Sequence, residues 1–357
     1  MCLVHEGRSV SQPLPAAIGV QRSPLAVSGG LWFLDGAHDL RHWRCDAEGR
    51  WQHAASRSFA EDVHALGAGA HSSIVFAAHG ERLSALDDSA ALLRDFDGSD
   101  LAGRRRGRAA AIVAHPGRHS VVVSWPALGE WWEISLDRAA APIFDGLVHD
   151  YRMGEAIAKP GYLGARRMPL GLPMPEPEFV DARVPWVAGR VGDALQVVNL
   201  DVRRRIGAWT LPGALPAAAA LQRSGSGWIW WLPAGDALHA LEPSHWRTLD
   251  RLALPRHESG VVPVQRLQVL GDTLWLLAAD ASHGSLWLRR ADAWQQVALG
   301  PGRPVALQVD PARRRALVAT ADPARLLVLA EDAAVQQDWT LPATGEPRGA
   351  AWLSGCG

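Results

Sequence analysis

Several things are scarce in this chain, and each scarcity removes a class of protein. Its three cysteines, Cys2, Cys45 and Cys356, are too few and too scattered for a disulfide framework or a zinc site. No CxxCH occurs, which excludes a covalently attached c-type haem. Charge of one sign is lacking too, with 36 Lys and Arg against 37 Asp and Glu. A local run of Arg104, Arg105, Arg106 and Arg108 therefore stands without a wider basic field, and no nucleic-acid partner is expected. Nowhere do about 18 apolar residues follow one another, so no membrane span is expected. The stretch Met1 to Val20 shows no basic start followed by an apolar core, so no export signal is read there and a cytoplasmic location is the default expectation.

What the chain has is a repeating phrase. A short apolar run is followed by a turn, a second apolar run ending in Asp or Glu, and a further short strand, often with Trp. It is read at Leu31–Leu34 to Trp43, Ser73–Phe76 to Asp87, Ser120–Val123 to Asp137 and Pro185–Val187 to Asp201. It returns at Trp228–Trp231 to Glu242, Thr273–Leu277 to Leu288 and Ala316–Ala319 to Leu329. A unit of about 40–50 residues that buries its faces only against its neighbours is the pattern of propeller blades. With 48% hydrophobic residues the chain can bury a large core, and 35 Gly with 24 Pro suit many tight turns. Trp at 17 against Tyr at 2 suits flat side chains packed between sheets. The expectation is an all-β, single-domain β-propeller over 1–357; at about 45 residues per blade its length allows seven or eight. The tail strand Arg348–Leu353 is expected to complete its blade with Ala17–Val20 or Leu3-Val4, removing open sheet edges.

One stretch breaks the rhythm. Residues 138–183 are dense in Pro, Gly, Arg and Met without clear alternation, and read as a long functional insertion between blades. Within it, His149, Asp150, Tyr151 and Glu155 gather the groups that can move a proton near neutral pH or donate to a ring substituent. The alternative is that Asp150 and Tyr151 only fasten the insertion through side-chain to backbone bonds.

The runs Trp131-Trp132-Glu133-Ile134-Ser135-Leu136-Asp137, Ala141–Glu155 and Val197-Val198-Asn199-Leu200-Asp201-Val202-Arg203-Arg204-Arg205-Ile206 resemble the haem d1 propeller family. That family contains the C-terminal domain of cytochrome cd1 nitrite reductase and its relatives in haem d1 biosynthesis. The resemblance covers about Asp62 to Asp250. It implies an eight-bladed propeller of four-stranded blades with haem d1, or a precursor tetrapyrrole, across the top of the central channel. His64, in Val63-His64-Ala65-Leu66, matches the place of the family's proximal ligand to the haem iron, and its imidazole is a suitable donor. Arg106 and Arg108 stand where the family carries an Arg, and guanidinium groups suit the carboxylates of haem d1; Arg166 and Arg167 are read the same way. His257, in a turn before the sixth repeat, is a further candidate facing the channel. Against these stand plainer readings: a His that caps a blade turn, and Arg residues that form solvated basic turns. His38, His42, His115 and His119 read as turn or surface residues.

Departures from the family matter equally. Its nitrite reductases hold two distal His over the haem, but here the matching regions read Val187-Ala188-Gly189-Arg190-Val191-Gly192-Asp193 and Leu215-Pro216-Ala217-Ala218-Ala219-Ala220. Without those donors nitrite reduction is not expected. The reading favoured is a tetrapyrrole-binding propeller in the biosynthesis, modification or carriage of haem d1, with other haem d1 biosynthesis proteins or a nitrite reductase as partners. If it is an enzyme, it acts on a tetrapyrrole side chain. The alternatives are an interaction scaffold that has lost its cofactor site, and a metal-dependent propeller enzyme. Because family members also work in the periplasm, that compartment is the alternative to the cytoplasm.

Overall fold

The computed structural model describes residues 2–5, 8–11, 25–27, 30–46, 50–70, 72–144, 158–171, 177–225, 227–243, 245, 247–256, 263–279, 283–290 and 293–341. These form seven four-stranded antiparallel sheets and two two-stranded pairs. Blade 1 takes Leu25–Val27, Gly30–Asp35, Asp39–Cys45 and Trp51–Ser58; blade 2 takes Val63–Ala68, Val75–His79, Arg82–Leu86 and Leu92–Asp97. Blade 3 takes Ala111–His115, Ser120–Trp125, Glu130–Ser135 and Ala165–Pro169; blade 4 takes Phe179–Val180, Trp186–Val191, Ala194–Asn199 and Arg204–Thr210. These four blades belong to one compact unit. The other unit holds the pair Cys2–His5 with Arg8–Ser11 and three blades. Blade 5 is Ala220–Ser224, Gly227–Ala234, Ala237–Glu242 and Arg247–Ala253. Blade 6 is Val264–Leu270, Thr273–Ala279, Gly284–Arg290 and Ala293–Gln296, and blade 7 is Arg303–Asp310, Arg315–Ala321, Arg325–Ala330 and Val335–Thr340.

The second strand of each blade reads as an unbroken apolar run because both of its faces are covered. Successive side chains of a strand point to opposite faces. In blade 2, Val75 and Ala77 pack with Trp32, Leu34 and Leu40 of blade 1, while Phe76 and Ala78 pack with Val121, Val123 and Trp125 of blade 3. Val122, between those two valines, turns to Val187 and Val198 of blade 4. The other unit repeats the arrangement: Leu274 and Leu276 join Trp231 and Leu238 of blade 5, and Trp275 and Leu277 join Val318 and Leu327 of blade 7. Fourth strands are largely exposed and polar, as in Trp51–Ser58 and Arg247–Ala253.

A short acidic or amide side chain at the end of several third strands is a turn device. Asp87 Oδ1 accepts the N–H groups of Ser89 and Ala91, both at 2.9 Å, and the Ser89 hydroxyl at 2.7 Å. Asp137 accepts Ala139 N–H, Asn199 accepts Asp201 N–H, and Asp332 accepts Ala334 N–H, all at 2.8–3.0 Å. Each sits in the turn between the third and fourth strands, where a short side-chain acceptor substitutes for a backbone one.

Several expectations change. The stretch 138–183 does not stand wholly between blades: Ala165–Pro169 is the fourth strand of blade 3 and pairs with Glu130–Ser135. Ile143–Phe144 pairs with Ala158–Lys159, so residues 144 and 158 stand side by side. The last residues open blade 4 as Phe179–Val180. His42 and His115 are strand residues that are 1% exposed, not surface groups. The His42 ring stacks on Trp32 at 4.4 Å, and His115 Nε2 donates to the Val184 carbonyl at 3.0 Å. His38 and His119 do lie in turns. Leu3-Val4 is part of the Cys2–His5 strand, while residues 17–20 and 348–353 lie outside the described residues.

Phe76→Ala removes a fully buried ring from the face shared by blades 2 and 3 and should cost about 3–5 kcal/mol, read from the denaturant midpoint. The Ser89 hydroxyl, followed by the two backbone N–H groups, holds the Asp87 carboxyl below its ordinary range. The stability it gives is thus present above the ordinary carboxylate pKa and lost as pH falls through the folded value. Asp87→Ala should cost about 1 kcal/mol at pH 7, with the difference from wild type vanishing in acid.

Candidate functional site

Alternation of strand direction gives each blade two ends. One carries the turn between strands 2 and 3 and the link to the next blade; the other carries the turns between strands 1 and 2 and strands 3 and 4. In the unit of blades 1–4, a crevice lined by charged side chains lies at each end.

The larger is a cleft of about 740 Å³ lined by His38, Glu61, Asp62, Gly80, Glu81, Arg82, Arg106 and Arg108. All come from the turns between strands 2 and 3 of blades 1 and 2 or from the links into blades 2 and 3. The link 98–110 is pinned before its Arg residues are aimed. Gly98 N–H donates to Glu81 O at 2.8 Å, and Gly107 N–H donates to Gly98 O at 2.8 Å. A Cβ on Gly98 would stand 2.3 Å from the Trp125 ring and 2.4 Å from Gly107 O, so only glycine admits this approach. Asp100 accepts Arg104 N–H at 2.8 Å and Arg105 Nε at 3.0 Å, folding the head of the basic run onto itself. Arg106 pairs with Asp97 at 2.9 Å and Glu81 at 3.5 Å. Arg108 is left to reach His64 Nδ1 at 3.0 Å.

His64 is the extra residue of a bulge, since Val63 faces His79 and Ala65 faces the next residue back, Ala78. Such a bulge re-aims a side chain. Its ring lies between Arg108 and the Ala109 carbonyl, which is 2.9 Å from Nε2. A guanidinium can only donate, so Nδ1 accepts from Arg108 and Nε2–H donates to Ala109. Beside it, His79 Nε2 meets the Ser84 hydroxyl at 2.9 Å, and that hydroxyl donates to Asp95 at 2.5 Å. Burial lowers the His79 pKa despite the nearby carboxylates of Asp95 and Glu61, which keeps the ring a neutral member of this ladder. Neither the ladder nor the cleft's acids stood out in the sequence; the available signal was that Glu61-Asp62 and Gly80-Glu81 occupy equivalent ends of adjoining strands.

Arg166 and Arg167 project to opposite faces of blade 3's fourth strand. Arg167 is committed inside the protein. It pairs with Glu130 at 2.7 Å, donates to Ser99 O at 2.8 Å and covers the Trp132 ring at 4.5 Å. Trp132 Nε1 donates to the same Glu130 carboxylate at 2.7 Å. Arg166 lines the second crevice, at the other end of the blade from Arg106 and Arg108, with Gly117, Arg118, Ser120, Glu133 and Ser135. Thus His64 and Arg108 are brought together with Arg106 close by, and Arg166 and Arg167 are not in the cleft. His149, Asp150, Tyr151, Glu155 and His257 lie outside the described residues. The strand pair flanking the first four roots at blade 3's other end, since Ser135 N–H donates to Gly164 O and Leu163 N–H to Ser135 O. Among the described residues, no group of three His, Cys, Asp or Glu is arranged to hold a metal ion, and no helix is long and apolar enough to cross a membrane.

The arrangement suits recognition of an acidic, planar or extended ligand: guanidinium groups for carboxylates in an open cleft, one of them, Arg108, bonded to the His64 imidazole beside it. The tautomer is directly testable. Long-range ¹H–¹⁵N spectra should show His64 protonated at Nε2, and Arg108→Ala should shift the Nδ1 resonance; protonation at Nδ1 would contradict the geometry.

No protein-family model and no curated protein matches the sequence. Solved structures do match it. The dihydro-haem d1 dehydrogenase NirN, determined in complex with DHE, aligns with TM-score 0.70 at 15% identity over 94% of this chain and 68% of its own. BamB from Moraxella catarrhalis aligns with TM-score 0.54 at 11% identity, over 96% and 92% of the two chains. The Dos1 propeller gives TM-score 0.54 at 10% identity, over 92% and 83%. At such identities the likeness is one of fold, and with the repeated four-stranded sheets it makes this chain an all-β propeller.

Proposed function

We propose that the chain is a tetrapyrrole-binding propeller acting in the biosynthesis, modification or carriage of haem d1, and that it is not a nitrite reductase. The observation that carries this reading is the cleft whose Arg108 is bonded to His64, in a chain whose NirN likeness, TM-score 0.70, exceeds those to BamB and Dos1. The donor set fits such a group in three respects. A volume of about 740 Å³ lies within the usual ligand-site range of about 300–1,000 Å³. Exposed Arg106 and Arg108 suit carboxylates, and Arg108 is bonded to the His64 imidazole. When bound, haem d1 would supply an iron centre and a conjugated ring able to take up or release electrons.

The protein's own part is to bind and orient. Arg108 would exchange His64 Nδ1 for a ligand carboxylate, leaving that nitrogen open, while Nε2–H keeps the ring fixed on the Ala109 carbonyl. The acids Glu61, Asp62 and Glu81 would repel further carboxylates and so set the ligand's orientation. The proton-moving role proposed for His149, Asp150, Tyr151 and Glu155 is separate from this binding reading, because the strand pair that flanks them roots at the opposite end of blade 3 from the cleft; His257 is proposed to add a contact. A second reading, a propeller scaffold that has lost its cofactor site, is favoured by one observation: both His64 ring nitrogens are already engaged within the protein.

Absorbance titration with haem d1, and with haem b as control, separates the two. The tetrapyrrole reading expects saturable binding of haem d1 with a ligand-shifted Soret band, lost in His64→Ala and weakened about tenfold to hundredfold in Arg108→Gln. Binding by neither protein would refute it in favour of the scaffold, and equal binding by wild type and His64→Ala would refute the role of His64.

A further inference from the structure

The second crevice, about 220 Å³, opens between blades 3 and 4 at the end away from the His64 cleft. Its charges are matched unequally. Glu133, 3% exposed, is taken by Arg118, whose Nε and Nη2 donate to its two oxygens at 2.6 and 3.3 Å, and by the Ser120 hydroxyl at 3.1 Å. Arg118 also reaches Asp201 at 2.5 Å. Burial works against the Arg118 charge, but these two carboxylates outweigh it and raise its pKa. Arg166 stands opposite Glu133 on the neighbouring strand, yet its buried Nε has no hydrogen-bond partner among the described residues. A buried donor left unmet costs free energy, and a guanidinium donor costs more than a neutral one. Ser135 lines the same space; its oxygen accepts Asp137 N–H at 3.2 Å and its own proton is free to be donated.

We propose that this crevice binds a small monocarboxylate of acetate or propionate size, held by the Arg166 guanidinium with the Ser135 hydroxyl as second donor. Carboxylate geometry matches the guanidinium fork. A single charge is favoured because Glu133 and Asp201 already surround Arg118 and would oppose a dianion such as phosphate. Small size follows from the volume, which holds a few water-sized groups and not a macrocycle. The site does not rest on the tetrapyrrole reading, since none of its residues lines the other cleft.

Isothermal titration of the full chain with sodium propionate, at ionic strength fixed with chloride, tests it. Saturable binding of one equivalent is expected, weakened about tenfold to hundredfold in Arg166→Gln, partly restored in Arg166→Lys and reduced in Ser135→Ala. The variants' far-ultraviolet circular dichroism and thermal midpoints check that they are folded. If Arg166→Gln destabilises the chain, Ser135→Ala decides the matter alone. Binding unchanged in both variants, no saturable heat with wild type, or equal displacement by chloride would overturn the assignment.

Discussion

The structure depends on one constraint: a four-stranded sheet that is apolar on both faces cannot stand alone in water. Val75 and Ala77 must be covered from one side and Phe76 and Ala78 from the other, so blade 2 is stable only between blades 1 and 3. The same demand on Leu274, Trp275, Leu276 and Leu277 joins blades 5, 6 and 7. Stacking of this kind consumes the faces of the sheets, and leaves polar chemistry the turns at the two ends and the exposed fourth strands. Both crevices accordingly lie at blade ends, built from turns and links.

How those turns are aimed is also a packing matter. Gly98 lets the link 98–110 pass against Trp125, Arg167 ties Ser99 to the buried Glu130, and acids absorb most of the basic run. Arg108 alone of that run is directed to an imidazole. A cluster that looks uniformly basic in the sequence is therefore differentiated by the fold into turn, ion-pair and imidazole-facing members.

Much of the fold was legible because it rests on local pattern. Second strands announce themselves as apolar runs, and the closing Asp87 and Asp137 are turn acceptors whose chemistry is local. Blade 3's fourth strand was not legible: Ala165–Pro169 is a half-buried outer strand whose covered side chains include two Arg, so apolar alternation is missing, and it hides among Pro, Gly and Arg. His42 and His115 were misjudged for a related reason. Their sequence neighbours suit loops, whereas the Trp32 ring and the Val184 carbonyl that hold them come from other strands and links. At the candidate site the sequence offered His64, Arg106 and Arg108 individually. That Arg108 is bonded to His64, that Arg167 is spent on Glu130, and that Arg166 belongs to another crevice are facts of register and strand face.

The central claim is that the His64 cleft is where a tetrapyrrole sits, and hydrogen–deuterium exchange with and without haem d1 tests it most directly. The account predicts added protection concentrated at residues 61–64, 80–82 and 106–109, the three segments that meet in that cleft. Protection confined to other segments, or none at saturating haem d1, would contradict it.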